Sequence, residues 1–285
     1  GKTPSEIESA LNVFAEIIGK TTTVASIDKD LLLDYKEKML RLPPLNQLPK
    51  EHRGKSTLEL LQIEHEQTIQ IKTFNKRMEF TLNFLNYAED ENILQPFPRR
   101  GLKIKETRKN SEKRDAFNKE DLVKIFHSKE YTQDSFNLYY RFWGPILGVF
   151  TGARLDEISQ ALLTDFIEQD GVHCLRVYTS EDTKTKTTSS ERLIPLHPFL
   201  VEDLKIMDRV ERLKSRGEER FFHTFSKSKD GYGRTLGRWF NDYLKPINVY
   251  IKYKKTFHSF RHTFTTNLYH NGIREADSRF LDGHS

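Results

Sequence analysis

The sequence predicts a mainly α-helical protein of two domains, the second interrupted by a small antiparallel sheet. Three observations carry this. Apolar residues recur every three or four positions through most of the 285 residues, the period of helices with one buried face. That period gives way once, between Gly171 and Leu196, to two short runs flanking a turn rich in Lys, Thr and Ser. Pro96 and Pro98, followed by a strongly basic stretch, divide the chain into two parts, each long enough for its own core.

In the first part, Leu11, Phe14, Ile17 and Ile18 follow helical spacing. Residues 27–41 form a second candidate helix, with Asp28 as N-cap and Pro43-Pro44 as the stop. Residues 56–66 form a third, with Ser56 as cap. Phe74, Met78, Leu82, Leu85 and Ala88 then mark one long amphipathic helix over 69–89. The second part opens near Arg114. Asn118 caps a helix through Leu122, Val123, Ile125 and Phe126. The apolar stretch 136–150 reads as a helix kinked at Gly144-Pro145, and 154–163 as another. Strands are expected at 171–179 and 191–196, and helices again at 199–213, 234–244 and 257–271. The predicted divisions are 1–98, a basic linker at 99–113, and 114–285.

Composition bounds the partners. With 36% hydrophobic and 12% aromatic residues, the chain can build packed cores and is not a disordered polymer. No run approaches the roughly 18–20 apolar residues of a membrane span, and no basic-then-apolar leader is present, so a cytoplasmic location without a membrane partner is expected. The sequence begins with Gly, not Met, and reads as a fragment or processed chain; an additional N-terminal arm-binding domain stays open. The single cysteine, Cys174, lies in a largely apolar run and reads as a packing residue.

The net charge of +5 and pI near 9.0 suit a polyanionic partner. The excess is concentrated between Arg99 and Arg114, where eight basic residues face only Glu106 and Glu112. A solvated linker would look the same. The sharper reading is a linker lying on phosphates, which makes Arg99, Arg100, Lys103, Lys105, Arg108 and Lys109 candidate DNA contacts.

Three short stretches carry chemistry. Thr151-Gly152-Ala153-Arg154-Leu155-Asp156-Glu157 puts an arginine at a helix start, where backbone N–H groups already favour anions. His258-Ser259-Phe260-Arg261-His262-Thr263 puts His258 and Arg261 on one helix face. Leu281-Asp282-Gly283-His284-Ser285 ends the sequence. Each is common alone: an arginine after a glycine turn is ordinarily a surface residue, and His-x-x-Arg arises by chance.

In this order and spacing, the three resemble the Arg…Lys…His-x-x-Arg…His signature of the tyrosine recombinases of the phage-integrase family. The resemblance implies a helical core-binding (SAM-like) domain at 1–98 and a catalytic domain at 114–285, closing as a C-shaped clamp on duplex DNA. It implies a tyrosine hydroxyl attacking a DNA phosphodiester to give a 3′-phosphotyrosyl bond and a free 5′-hydroxyl, with no metal, ATP or other cofactor. Arg154 and Arg261 would hold the non-bridging oxygens. His258 and His284 would bond the phosphate or move a proton, and Glu157 would orient a cationic neighbour. A lysine on the turn between the strands would protonate the leaving oxygen. Lys184 fits that place best and Lys186 stays open, although a lysine in a Ser/Thr-rich hairpin tip is ordinarily just solvated. Partners would be a double-stranded recombination site and, on DNA, three further copies making a homotetramer, with room for an accessory DNA-bending or directionality factor.

The family's nucleophile follows the last histidine by about nine residues. Tyr178, Tyr253 and Tyr269 all precede His284 and read as packing or DNA-facing, so the polypeptide as given is expected to lack cleavage activity. Asp282 also departs from the family, which is commonly apolar there. Three rivals remain. A recombinase relative that binds DNA without cutting would footprint but form no adduct. A metal-dependent nuclease would lose cleavage in EDTA; His258 and His262 have the helical zinc-ligand spacing, but no Glu follows His258 and no third ligand is evident. A type IB topoisomerase shares the chemistry but would relax supercoils without site preference.

Overall fold

A computed structural model describes residues 4–105, 115–133, 135–178, 191–228 and 231–283. The chain divides into two compact units, Gly1–Lys109 and Asn110–Ser285.

Among the described residues of the first unit there are four α-helices and three short 3-10 turns. α1 (Pro4–Ile18) buries Ala10, Val13, Phe14 and Ile17. α2 (Lys29–Arg41) starts where Asp28 accepts a hydrogen bond from the Leu31 amide at 2.9 Å, as the capping rule requires, and stops before the two prolines. α3 (Thr57–Leu61) opens with a reciprocal capping box between Ser56 and Glu59. It is shorter than the 56–66 expected. The His65 ring donates to the Leu60 carbonyl at 2.8 Å, the acceptor that a continuing helix would need for Glu64. The Ile69 amide then bonds the Leu42 carbonyl and leads the chain into α4 (Ile71–Asp90). Phe74, Met78 and Leu85 on α4 are wholly buried against Leu32, Tyr35 and Phe14. Each such side chain contributes about 1.5–3 kcal/mol of burial.

The segment after Pro98 belongs to this unit. Leu102 is fully buried in its core and Ile104 packs on the rim. Asn75 from α4 grips the backbone of Ile104 twice, accepting from its amide at 2.9 Å and donating to its carbonyl at 2.8 Å. Lys36 donates to the Gly101 carbonyl at 2.7 Å.

In the second unit, α5 (Lys119–Phe126) is capped reciprocally by Asn118 and Asp121, and α6 (Lys129–Thr132) is a single turn capped by Ser128. α7 (Tyr139–Thr151) is the central helix and carries Pro145. A proline there cannot donate to the Arg141 carbonyl. The Tyr131 hydroxyl lies 3.3 Å from that carbonyl and donates to the neighbouring Phe142 carbonyl at 3.0 Å. Gly144 and Gly148 on α7 allow close approach: a Cβ at either would collide with Leu236 or Phe260. Around α7 lies an aromatic core in which Phe221, Phe240 and Phe260 are fully buried.

After α8 (Leu155–Gln160) the chain forms a three-stranded antiparallel sheet, β1 (Phe166–Gln169), β2 (Val172–Val177) and β3 (Arg192–Pro195), in that order. Phe166 pairs with Leu175, Leu175 with Ile194, and Val177 with Arg192. Two strands were expected from the sequence. The additional one, β1, is joined to β2 by Asp170-Gly171, both at positive φ (53° and 77°) as a two-residue hairpin turn of type I′ requires. The predicted helix over 199–213 is also divided. A π-helical turn, Phe199–Asp203, is separated from α9 (Ile206–Ser215) by Lys205, whose φ of 54° breaks the helix. α10 (Arg234–Tyr243) and α11 (Ser259–His270) pack on α7, and α12 (Glu275–Asp282), which has no counterpart in the sequence reading, packs on α11 and β3.

Candidate active site

The site is organised by the turn between α7 and α8. Thr151 is fully buried; its hydroxyl donates to the Leu147 carbonyl and accepts from the Ala153 amide at 3.2 Å. Gly152 closes α7 in the left-handed region at φ 59°. Arg154 occupies the N-cap of α8, placing its side chain at the start of that helix.

Glu157, one turn on, is 5% exposed and holds this corner together. Its Oε2 accepts from the Arg154 backbone amide at 2.8 Å, and its Oε1 accepts from Arg154 Nη1 at 2.6 Å. Arg192 donates to the same carboxylate, Nη2 to Oε2 at 2.9 Å. Burial alone would push this carboxyl up. The hydrogen bond and charge of Arg192, then the bonds from Arg154, outweigh burial and hold it below the ordinary glutamate value.

Arg261 reaches the same turn from α11. It is 3% exposed, and its Nη1 donates to the Gly152 carbonyl at 3.1 Å. Arg154 and Arg261, 107 positions apart in sequence, are therefore anchored within three residues of each other on one turn. The rest of the second motif fixes α11. Thr263 accepts from the Phe117 amide at 2.8 Å, and the fully buried Ser259 accepts from the Thr256 amide at 3.1 Å. His258 and His262 are both half-buried, with ring centroids 5.0 Å apart, edge to face. Among the described residues no three His, Cys, Asp or Glu side chains gather as a metal-holding group.

The third motif arrives at the end of α12, where Gly283 adopts a left-handed cap at φ 63°. The Leu281 carbonyl accepts from Arg192 Nε at 2.7 Å, and the Gly283 carbonyl lies 3.4 Å from Arg154 Nη2. His284, Lys184 and Lys186 lie outside the described residues, as do Arg108 and Lys109 of the basic segment.

In the remainder of that segment, Arg99 is turned inward: it pairs with Glu89, donates to the Leu82 carbonyl at 3.2 Å and lies over Phe97. Lys103 lies 3.8 Å from Glu79, while Arg100 and Lys105 are exposed. Tyr253 and Tyr269 are exposed, at 64% and 73%, and Tyr178 is half-buried beside Arg176.

Arg192 is the site residue that sequence reasoning passed over, and a signal for it existed. Along β3 and the residue after it, alternation puts Arg192, Ile194 and Leu196 on one face, and the two apolar members mark that face as buried. A guanidinium there must be matched by a carboxylate.

Comparison by sequence finds no matching family model and no matching curated protein. Comparison by structure finds the XerH site-specific recombinase bound to its difH substrate in a pre-cleavage complex, at TM-score 0.58 and 17% identity over 91% of this chain. The matched part spans 65% of the XerH chain. A lambda integrase tetramer bound to a Holliday junction matches at TM-score 0.60 and 16% identity, over all of this chain and 73% of that one. The Tn1549 transposon integrase in complex with transposon right end DNA matches at 0.56 and 18%, over all of this chain and 87% of that one. The chain thus has the fold of these recombinases and integrases.

Proposed function

We propose that this protein is a site-specific DNA recombinase or integrase that cleaves and rejoins DNA through a 3′-phosphotyrosyl intermediate, without metal or ATP. The observation that carries the reading is the convergence of Arg154 and Arg261 on one turn, with Glu157 and Arg192 fixing the first of them. Attack on a phosphodiester builds negative charge on the two non-bridging oxygens. Two permanently protonated guanidinium forks gathered at one turn can neutralise that charge. A single arginine so aimed is worth roughly 10³–10⁵ in phosphoryl-transfer rate. His258, one turn before Arg261, would bond the same phosphate or relay a proton, and His284 would join it from the third motif. Lys184, with Lys186 as the alternative, would protonate the leaving 5′-oxygen. The nucleophile would be a tyrosine following His284. Because the tyrosyl bond conserves the energy of the broken one, ligation is the reverse of cleavage.

The DNA-bound neighbours support double-stranded DNA as the partner, and the lambda integrase tetramer supports exchange between four protomers. Arg100, Lys103 and Lys105 would add phosphate contacts from the first unit. Affinity resting on such contacts falls steeply with salt.

The test uses protein expressed from its full reading frame. Duplex DNA is first selected from random sequence by binding, then supplied with a nick that traps the cleaved state. The expected result is a covalent, detergent-resistant adduct that persists in EDTA, and Arg154→Ala or Arg261→Ala variants that bind DNA but form none. An adduct formed at normal rate by either variant would overturn the assignment. Binding without any adduct would make the protein a DNA-binding relative that does not cut.

A further inference from the structure

Arg192 plays no part in the chemistry above, yet its side chain is wholly buried, with 0% exposed. Its bonds to Glu157 and Leu281 join two motifs. Its Nη2 and Nη1 donate to Glu157 of the first motif at 2.9 and 3.4 Å, and its Nε donates to the Leu281 carbonyl of the third at 2.7 Å. Glu157 in turn accepts from Arg154, and Arg154 Nη2 reaches toward the Gly283 carbonyl. The bonds run in a ring from Arg154 through Glu157 and Arg192 to the end of α12 and back.

We propose that Arg192 is a positioning residue, which keeps Glu157 matched while Arg154 engages the scissile phosphate and which fixes the end of α12 against the first motif. This rests on the cleavage reading of the site. The argument is one of charge balance. A phosphate entering the site competes with Glu157 for the Arg154 guanidinium. If Arg154 were the only cation at Glu157, turning to the phosphate would strand a buried carboxylate, and that penalty would oppose catalysis. With Arg192 on the same carboxylate, Arg154 can shift toward substrate while Glu157 stays neutralised. The Nε donor, which takes no part in the bonds to Glu157, goes to the Leu281 carbonyl. It sets the position of Gly283, the residue immediately before His284.

The test compares wild-type protein from the full reading frame with Arg192→Gln, Arg192→Lys and the double variant Glu157→Gln/Arg192→Gln. Adduct formation on nicked DNA, DNA affinity, and backbone hydrogen exchange at residues 279–283 are measured on each folded protein. Arg192→Gln should form adduct about 10–100-fold more slowly, the range expected for a small misplacement of catalytic groups, with DNA affinity nearly unchanged. Arg192→Lys keeps the charge but not the fork and should fall between. The double variant should recover part of the loss, because no carboxylate is left unmatched. Exchange at 279–283 should quicken in Arg192→Gln. A residue that only supported the fold would lower thermal stability equally in the single and double variants and leave the rate per folded molecule intact. Wild-type rates in Arg192→Gln would therefore overturn the proposal. If wild-type protein itself forms no adduct, the cleavage reading fails; the exchange data then decide the positioning separately, and unchanged protection at 279–283 would overturn it.

Discussion

Replacing Gly152 by alanine strikes the turn on which both arginines depend. Gly152 has φ 59°, and a Cβ there would enter the ring of Phe264, 2.7 Å from its Cγ and 3.0 Å from its Cβ. The left-handed backbone costs an alanine roughly 1–2 kcal/mol. Overpacking against a ring held on α11 adds about 1–3 kcal/mol. The stiffer unfolded chain returns about 0.4–1 kcal/mol. The net expectation is a loss of roughly 2–4 kcal/mol. For a unit of this size that corresponds to a fall in Tm of about 5–15 °C. Gly171→Ala is the internal control: its φ is 77°, but nothing lies within 4 Å of the added carbon, so only the backbone strain applies. The difference between the two, read by thermal and urea unfolding, isolates the collision. Phe264 lies one turn beyond Arg261, and the Gly152 carbonyl is the anchor of Arg261. Adduct formation by Gly152→Ala should therefore drop by more than its folded fraction does. Equal destabilisation by the two substitutions would refute the reasoning.

The acid limb of stability should carry a signature of Glu157. Its folded pKa lies below the ordinary value of 4.5, so its contribution is complete above that pH and is lost as pH falls through the folded value. Unfolding free energy measured between pH 3 and 6 should fall less steeply for Glu157→Gln, from a start about 3–5 kcal/mol lower because a buried pair has lost one member. Tyr131→Phe should cost about 1–2 kcal/mol in chemical unfolding by withdrawing the hydroxyl from the α7 carbonyls beside Pro145; an unchanged midpoint would mean those carbonyls find other donors.

What could be read in advance divides along physical lines. Caps are local, so Asp28, Ser56 and Asn118 were legible as helix starts. The long period of Phe74, Met78 and Leu85 located α4 for the same reason. The end of α3 depended on a competing side chain, His65, which no periodicity reports. β1 was missed although Asp170-Gly171 is a strong hairpin signal; its four residues, Phe166–Gln169, were too few to show alternation. Lys205 broke a helix without being glycine or proline, and α12 shows little apolar period because most of it is exposed. In the site, Arg154 and Arg261 stand out in sequence because each sits in a dense motif. Arg192 does not, because its meaning comes from Glu157 and Leu281, 35 and 89 positions away.

The docking of residues 99–105 bears on how charge meets a polyanion. A basic tail that is ordered only on contact must give up its backbone freedom at that moment, about 1–2 kcal/mol for each residue. Here Leu102 in the core, Asn75 on Ile104 and Lys36 on Gly101 have already ordered these seven residues when the first unit folds. Something near 7–14 kcal/mol of ordering is thereby kept out of the association step. Arg100 and Lys105 are exposed on this ordered stretch and Lys103 lies near Glu79, so under the proposed DNA-binding reading their attraction for phosphates would act from a segment that is already in place.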